Sequence, residues 1–362
     1  MKAAVLYEAN TPLAIEEIDL DPPEAGDVLV KVAAAGVCHS DLHHIDGHST
    51  GHPKPVVLGH EGAGVVEAAG PGVGDLAPGD HVIFSFRPSC GVCSFCVTGR
   101  PNLCSTGVKA GYLTSGRRHL HKGSSPVYHF ANTSCFAEET VVRANSVVKI
   151  PDAMPLNQAA LIGCCVMTGV GAVINTARVR PGSSVVVIGT GGVGLNIIQG
   201  ARLAGAGRII AVDLLPNKLD YARRFGATDT INGREEDVVS RVWELTGGGA
   251  DYAFEAIGAP PAVRQALDCV HPGGMAVAVG VPPTGAEVTI SAMSLFPQEK
   301  LLTGTFYGST RFRTDMPMLV DLYLSGKLMI DELITGTYPL EGINDAFSKL
   351  AAGEAIRGII NP

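Results

Sequence analysis

Val185 to Asp213 reads VVVIGTGGVGLNIIQGARLAGAGRIIAVD, and this stretch decides the fold. Val185–Ile188 is a short β-branched run suited to a strand buried on both faces. It runs into Gly189, Thr190, Gly191, Gly192, Val193 and Gly194, a GxGxxG turn. Leu195, Ile197, Ile198, Ala201 and Leu203 then recur at helical spacing, and Gly205 and Gly207 follow the helix end. Ile209–Val212 is a second strand closed by Asp213. The three spaced glycines give a tight turn, backbone approach to a pyrophosphate and close helix–strand packing. The helix start offers free N–H groups and positive dipole to that phosphate. An acid ending the second strand suits a ribose 2′-OH and repels a 2′-phosphate. With 45 glycines in the chain, a lone GxGxxG would read equally as a loop without a ligand. The order strand, turn, helix, strand, acid makes it a dinucleotide site, with NAD expected over NADP.

The chain around this unit has 362 residues, enough for two domains with sizeable cores. Charged residues are 17% and hydrophobic ones 46%, which excludes a disordered chain. A net charge of −8 argues against nucleic acid or an anionic membrane as partner. No uninterrupted apolar run is expected to approach a membrane span of roughly 20 residues. Met1–Leu6 begins as a strand and meets Glu8, so no signal peptide is expected. Nine cysteines then read as reduced thiols or metal ligands, and the expected compartment is the cytoplasm.

Residues 1–150 are β-rich: Val28–Val32 alternates, Gly62–Ala69 is small and β-branched, and a turn at 79–80 leads into a strand to Phe84. Pro and Gly punctuation at 22–26, 53–55, 70–74 and 78–79 fits an irregular, barrel-like domain. From about 155 helix and strand patterns alternate: helix 193–204, strand 208–212, helices 217–225 and 235–246, strand 250–255, helix 260–269, strands 274–279 and 301–305. That alternation predicts a doubly wound parallel sheet. Amphipathic helices near 315–325 and 342–351 and a strand at 357–360 complete the chain.

Cys90, Cys93, Cys96 and Cys104 are spaced C-x2-C-x2-C-x7-C, close enough for one loop to wrap an ion. Four thiolates suit a closed, structural zinc; an iron–sulfur cluster is the chemical competitor. Three dispersed residues form a second set: Cys38 in GVCHSD, His60 in GHEGAG and Cys164 in LIGCCVMTG. Three protein ligands leave a fourth position for a substrate oxygen, as a catalytic zinc needs.

GVCHSD, GHEGAG, the cysteine quartet, LIGC-x-x-x-TG, GTGGVG with Asp213, VGVPP at 279–283 and Ile356-Arg357 occur in one order along the whole chain. In this combination the chain resembles the zinc-dependent medium-chain alcohol dehydrogenases. The resemblance implies an α/β protein, with a GroES-like catalytic domain over 1–165 and 307–362 and a Rossmann doubly wound parallel sheet over 166–306. It implies two zinc ions per chain and NAD. Cys38, His60 and Cys164 become catalytic-zinc ligands, with Cys165 an alternative for the third, and residues 87–105 the structural-zinc lobe. Asp41 and Glu61 resemble carboxylates behind the zinc ligands. Ser40 matches the hydroxyl that bonds the alcohol, and His43 the histidine ending its proton relay; alone, they would read as an N-cap and a solvated histidine. Gly189, Gly191, Gly192, Val193 and Gly194 become the pyrophosphate turn, and Asp213 and Lys218 the adenosine-ribose contacts. Thr168 and Val279 match nicotinamide-pocket positions, and His39 and Arg357 positions meeting the pyrophosphate. Several relatives have arginine at His39. Phe86, Phe130 and Val281 would line the substrate channel.

The long stretch 105–135 carries Arg117, Arg118, His119, His121 and Lys122, and reads as either a solvated basic loop or a wall of the pocket mouth. The glutathione-dependent formaldehyde branch has an acidic pair in the loop between the first two zinc ligands. Ser49 and Gly51 stand at those places, which speaks against that branch.

The expected chemistry is reversible NAD-dependent oxidation of a primary aliphatic or aromatic alcohol to its carbonyl, by a homodimer or homotetramer. Its competitors are a relative with tightly bound NAD that uses an external acceptor, an alkene reductase, and an idle zinc/NAD-binding sensor.

Overall fold

The structure, a computed structural model, describes residues 1–106 and 110–362. The chain divides into two compact units, Met1–Cys164 with Arg311–Pro362, and Cys165–Thr310. The second boundary lies four residues beyond the 307 read from the sequence.

The second unit is built on the quoted stretch. Ser184–Ile188 is a strand whose Val185, Val186 and Val187 are fully buried. Among the described residues it lies third in a six-stranded sheet ordered Asp229–Asn232, Arg208–Asp213, Ser184–Ile188, Ala250–Glu255, Val270–Ala278, Leu301–Gly304. Every neighbouring pair is parallel. The order reverses between Ser184–Ile188 and Ala250–Glu255, where doubly wound sheets open a ligand crevice at the strands' C-terminal ends.

Helix Gly192–Leu203 follows the first strand, and Pro216–Phe225, Val238–Thr246 and Pro260–Cys269 the later ones. The third starts three residues later than the pattern 235–246, because the Asp237 carboxylate accepts from the Ser240 N–H (2.8 Å) and caps it there. Strand Val270–Ala278 starts four residues earlier than expected. Strand Asp229–Asn232 was missed because it has four residues, three of them polar.

In the first unit, sheets of four, seven and three strands are present among the described residues. The largest is centred on Asp27–Gly36, whose neighbours are Glu61–Ala69, Glu139–Arg143 and the C-terminal strand Arg357–Asn361. The core packs Val28, Val30, Val32, Phe84 and Phe136 with Phe347 and Leu350 of helix Ile343–Ala351. Phe136 meets Phe347 edge to face at 5.8 Å.

One long helical run was not singled out from the sequence. Leu156–Ala177 spans 22 residues at mean hydropathy 1.8, long and apolar enough to cross a membrane by length and composition. Interspersed glycine, cysteine, threonine and asparagine hid it from a search for an uninterrupted run. In the fold 78% of its most apolar window is buried in protein, so it serves as a core helix. It widens to π geometry at Ile162–Val166 and Ala172–Ala177.

Candidate metal centres and dinucleotide turn

Cys90, Cys93, Cys96 and Cys104 converge. Their sulfurs lie within 4.8 Å of one another, with Cys90–Cys96 at 4.0 Å and Cys93–Cys104 at 3.9 Å. Zinc–sulfur bonds of about 2.3 Å give a tetrahedral S–S edge of about 3.8 Å, which these two separations match closely, so the donor set fits zinc. Helix Ser94–Val97 and the turn Pro101–Leu103 return the chain onto the group, and the Cys93 N–H donates to Cys90 Sγ at 3.4 Å. Donors around the thiols already favour negative charge. A hydrogen bond from Thr106 lowers Cys90 to about 7 and one from the Ser105 backbone lowers Cys93 to about 5, while burial raises Cys96 to about 12.

The dispersed set also converges, wholly within the first unit. Cys38 caps helix His39–Ile45, His60 precedes strand Glu61–Ala69, and Cys164 sits in the π turn Ile162–Val166. One ligand atom each from Cys38, His60, Glu61 and Cys164 lies within 4.8 Å of the others, and all four side chains are buried. Cys165 is fully buried and is not in this group.

His60 Nδ1 faces Asp41 Oδ2 at 3.0 Å, and the Gly59 N–H donates to Asp41 Oδ1 at 3.0 Å. This pair leaves Nε2 as the imidazole nitrogen available to a metal, the usual arrangement behind a histidine ligand. Burial alone would depress His60, but the charges of Asp41 and Cys38 outweigh it and hold the imidazole well above its ordinary value. Cys38 is held well below its own, first by the Cys164 hydrogen bond and then by Arg357 and His60. Two thiols, an imidazole and a carboxyl group gathered in one buried place, with Cys38 held toward its thiolate, fit a divalent cation.

Glu61 is fully buried and lies 3.7 Å from Arg357 Nη2, itself buried; burial pushes the Glu61 carboxyl up to about 8. Space for it exists because its strand partner is Gly36, where a Cβ would overlap Glu61 Oε2. The sequence placed Glu61 behind the ligands; the structure brings one of its carboxyl oxygens within 4.8 Å of the ligand atoms of Cys38, His60 and Cys164.

Ser40 and His43 are both half-buried on helix His39–Ile45, three residues apart and so on one face. The N-cap of that helix is Cys38, so Ser40 has no capping role. His39 is exposed.

Rings surround His60: Phe86 at 5.5 Å and Phe130 at 5.9 Å between centroids, with His44 at 4.8 Å and His52 at 5.5 Å from Phe130. Burial lowers His44 to about 4, so its ring is neutral near pH 7. His44 and His52 were not singled out from the sequence, although five histidines between 39 and 52 were a signal.

The basic stretch after residue 110 is not simply solvated. Arg117 pairs with Glu24 at 2.7 Å, buried His119 with Asp27 at 3.3 Å, His121 with Asp21 at 3.0 Å and Lys122 with Glu16 at 2.5 Å. These pairs pin it to the segment 16–27 near the N-terminus. Residues 107–109 of that stretch lie outside the described residues.

In the second unit, Gly189 has φ +90°, a conformation side chains rarely adopt, and a Cβ on Gly194 would strike the Gly189 carbonyl oxygen. A Cβ on Gly191 would meet nothing within 4 Å, so the N-terminal end of helix Gly192–Leu203 opens on a cradle that a pyrophosphate fits. The Asp213 carboxylate is half-buried. It accepts from the Thr190 N–H and hydroxyl on one oxygen (2.8 and 2.9 Å) and from the Leu214 and Leu215 N–H groups on the other (2.8 and 3.1 Å). It therefore fixes the glycine turn as well as ending its strand. Lys218 and Thr168 are half-buried, Val279 is buried and Val281 is 54% exposed; all four lie in the second unit. Glu255, missed from sequence, is fully buried at the end of Ala250–Glu255 and accepts from the Ile257 and Gly258 N–H groups (2.6 and 2.5 Å).

Residues 24–152 match the family model for the alcohol dehydrogenase GroES-like domain, and residues 192–325 that for zinc-binding dehydrogenases. An S-(hydroxymethyl)glutathione dehydrogenase of Paracoccus denitrificans is 42% identical, over 99% of this chain and 99% of the relative. A solved alcohol dehydrogenase zinc-binding domain protein from Burkholderia ambifaria superposes with TM-score 0.95 at 39% identity, over 99% of this chain and 98% of that one. A benzyl alcohol dehydrogenase from Acinetobacter calcoaceticus gives 0.94 at 36%, with the same coverage. The chain belongs to the zinc-dependent medium-chain alcohol dehydrogenase family, whose cofactors are zinc and NAD.

Proposed function

We propose that this protein catalyses reversible NAD-dependent oxidation of a primary alcohol bearing an aromatic group, with Cys38, His60 and Cys164 holding a catalytic zinc and the cysteine quartet a structural one. The observation that carries the reading is the buried convergence of Cys38, His60 and Cys164, with Asp41 on His60 Nδ1. When bound, zinc supplies Lewis acidity at the substrate oxygen and the nicotinamide supplies the hydride acceptor. The chain's own residues do the rest. Asp41 fixes the His60 tautomer, Ser40 takes the alcohol proton, and His43, on the same helix face, passes it to solvent. Gly189, Gly191, Gly192, Val193 and Gly194 seat the pyrophosphate, and Asp213 receives the ribose. Thr168, Lys218, Val279, Val281, His39 and Arg357 keep the cofactor and substrate roles that the resemblance gives them.

The rings of Phe86, Phe130, neutral His44 and His52 support an aromatic substrate, and the benzyl alcohol dehydrogenase relative has a name of that kind. The Paracoccus relative's name favours a second reading, S-(hydroxymethyl)glutathione, which the missing carboxylates at Ser49 and Gly51 oppose. A panel of benzyl alcohol, ethanol, hexanol and S-(hydroxymethyl)glutathione tests this. Benzyl alcohol should exceed ethanol in kcat/KM by at least about tenfold, the scale of filling an apolar pocket. Parity, or dominance of the glutathione adduct, would overturn the aromatic assignment. Running each assay with and without added NAD separates dissociable from tightly held cofactor.

No disulfide joins any of the nine cysteines among the described residues, which suits a reducing compartment such as the cytoplasm. Leu301–Gly304 ends its sheet among the described residues with Leu301 52% exposed; this open edge supports a homo-oligomer formed by edge-to-edge pairing, to be read by sedimentation.

A further inference from the structure

A third group of metal-ligating side chains lies outside both cysteine sets. His43, Asp46 and His48 each offer one ligand atom, all within 4.8 Å of one another. Asp46 ends helix His39–Ile45, and Gly47, at φ +79°, turns the chain so that His48 comes back beside it. Two hydrogen bonds from backbone N–H groups hold this turn: the His48 N–H donates to the Asp46 side-chain Oδ1 at 3.0 Å, and the Ser49 N–H to the His43 carbonyl at 2.7 Å. The ligand geometry is therefore set by the loop.

Asp46 Oδ2 is the common point, 2.8 Å from His48 Nδ1 and 3.8 Å from His43 Nδ1. The second separation is too long for a hydrogen bond. His43 Nδ1 is nonetheless shielded from water and has no hydrogen-bond partner among the described residues. A cation with bonds of about 2.0–2.2 Å to imidazole nitrogen and carboxylate oxygen spaces such atoms about 3.3–3.5 Å apart, between the two observed distances. The imidazole rings stand edge to face with centroids 5.7 Å apart, and His48 is 60% exposed, so one face stays open for waters. Two imidazoles and one carboxylate select zinc and its borderline neighbours over magnesium or calcium.

We propose that His43, Asp46 and His48 form a third, weaker zinc site whose occupation takes His43 out of the proton path and so inhibits alcohol oxidation. The binding half stands on the geometry alone; the inhibition half rests on the relay role given to His43 above. No electron transfer is involved. Zinc replaces the proton on an imidazole nitrogen, and that proton goes to solvent.

The test uses the intact enzyme carrying its two resident zincs, with Zn2+ alone as probe and Mg2+ as control. Calorimetric titration in chelator-free buffer should show one additional zinc equivalent in the wild type and none with Mg2+. His48→Ala, at an exposed position outside the proposed machinery, should keep basal alcohol oxidation. It should weaken the added equivalent by at least about tenfold, no less than the loss seen when a mere partner of a ligand is removed. Asp46→Asn should weaken it too, which guards against a peculiarity of one variant. Added zinc should inhibit oxidation in the wild type at concentrations that leave His48→Ala unaffected. Failure to bind a third equivalent, or binding undiminished in both variants, overturns the site. Binding that His48→Ala abolishes, without any inhibition in the wild type, overturns the inhibition and removes His43 from the proton path while the site stands.

Discussion

Replacing Asp41 with Asn isolates what the buried carboxylate does for the catalytic zinc proposed at Cys38, His60 and Cys164. The substitution keeps shape, and the amide oxygen can still accept from the Gly59 N–H that Asp41 Oδ1 now receives at 3.0 Å. What changes is the other contact, 3.0 Å to His60 Nδ1 in a place where Asp41 is fully buried and His60 nearly so. There the amide presents N–H to an N–H. The imidazole must then turn away or move its proton to Nε2, the atom the metal needs. A hydrogen bond to a charged group contributes about 1.5–3 kcal/mol. Loss of the group orienting a ligand histidine lowers metal affinity about 10–100-fold, which is about 1.4–2.7 kcal/mol. The two routes agree. The assay follows zinc release to a chromogenic chelator from protein holding two zincs. Asp41→Asn should release one zinc about 10–100-fold faster and leave the quartet's zinc at the wild-type rate, with kcat reduced and the circular dichroism spectrum unchanged. Wild-type release of both ions would refute the reasoning, as would equal acceleration of both.

Cys90→Ser should lower Tm and zinc content together, because the quartet organises its own loop, whereas Cys38→Ser should abolish turnover and cost one zinc at nearly native Tm; metal analysis with calorimetry distinguishes them. Asp213→Gly should narrow the preference for NAD over NADP by about tenfold or more, since it removes an acceptor worth about 1.5–3 kcal/mol together with the repulsion; an unchanged kcat/KM ratio would contradict it. In the zinc-free protein the Glu61 carboxyl sits at about 8 against 4.5 in an unfolded chain. The folded state therefore holds a proton the unfolded chain has lost across that window, so stability falls as pH rises through it. Zinc-free wild type should lose Tm between about pH 5 and 8 more steeply than zinc-free Glu61→Gln; equal slopes would count against the buried-proton account.

Much of this protein was legible in the chain itself. Local chemistry wrote the dinucleotide unit, because the turn needs glycine at Gly189 and Gly194 for reasons confined to a few neighbouring residues. The quartet was equally plain, four thiols inside one loop. Periodicity found most helices and strands of the parallel sheet, and missed Asp229–Asn232, whose polar residues give no alternation. Tertiary structure decided the rest. Nothing local says that Cys38, His60 and Cys164, up to 126 positions apart, share one buried point, nor that Cys164 rather than Cys165 reaches it. That choice depends on the π turn at Ile162–Val166, which sets the facing of successive residues in a way helical spacing cannot. Glu61 joins the group only because Gly36, on the paired strand, has no side chain to exclude it. The fate of the basic residues near 117–122 was likewise settled by partners on the distant segment 16–27, Glu16, Asp21, Glu24 and Asp27. Contacts within a turn are encoded where they are made; a buried cluster is encoded in every element that must pack before it can close.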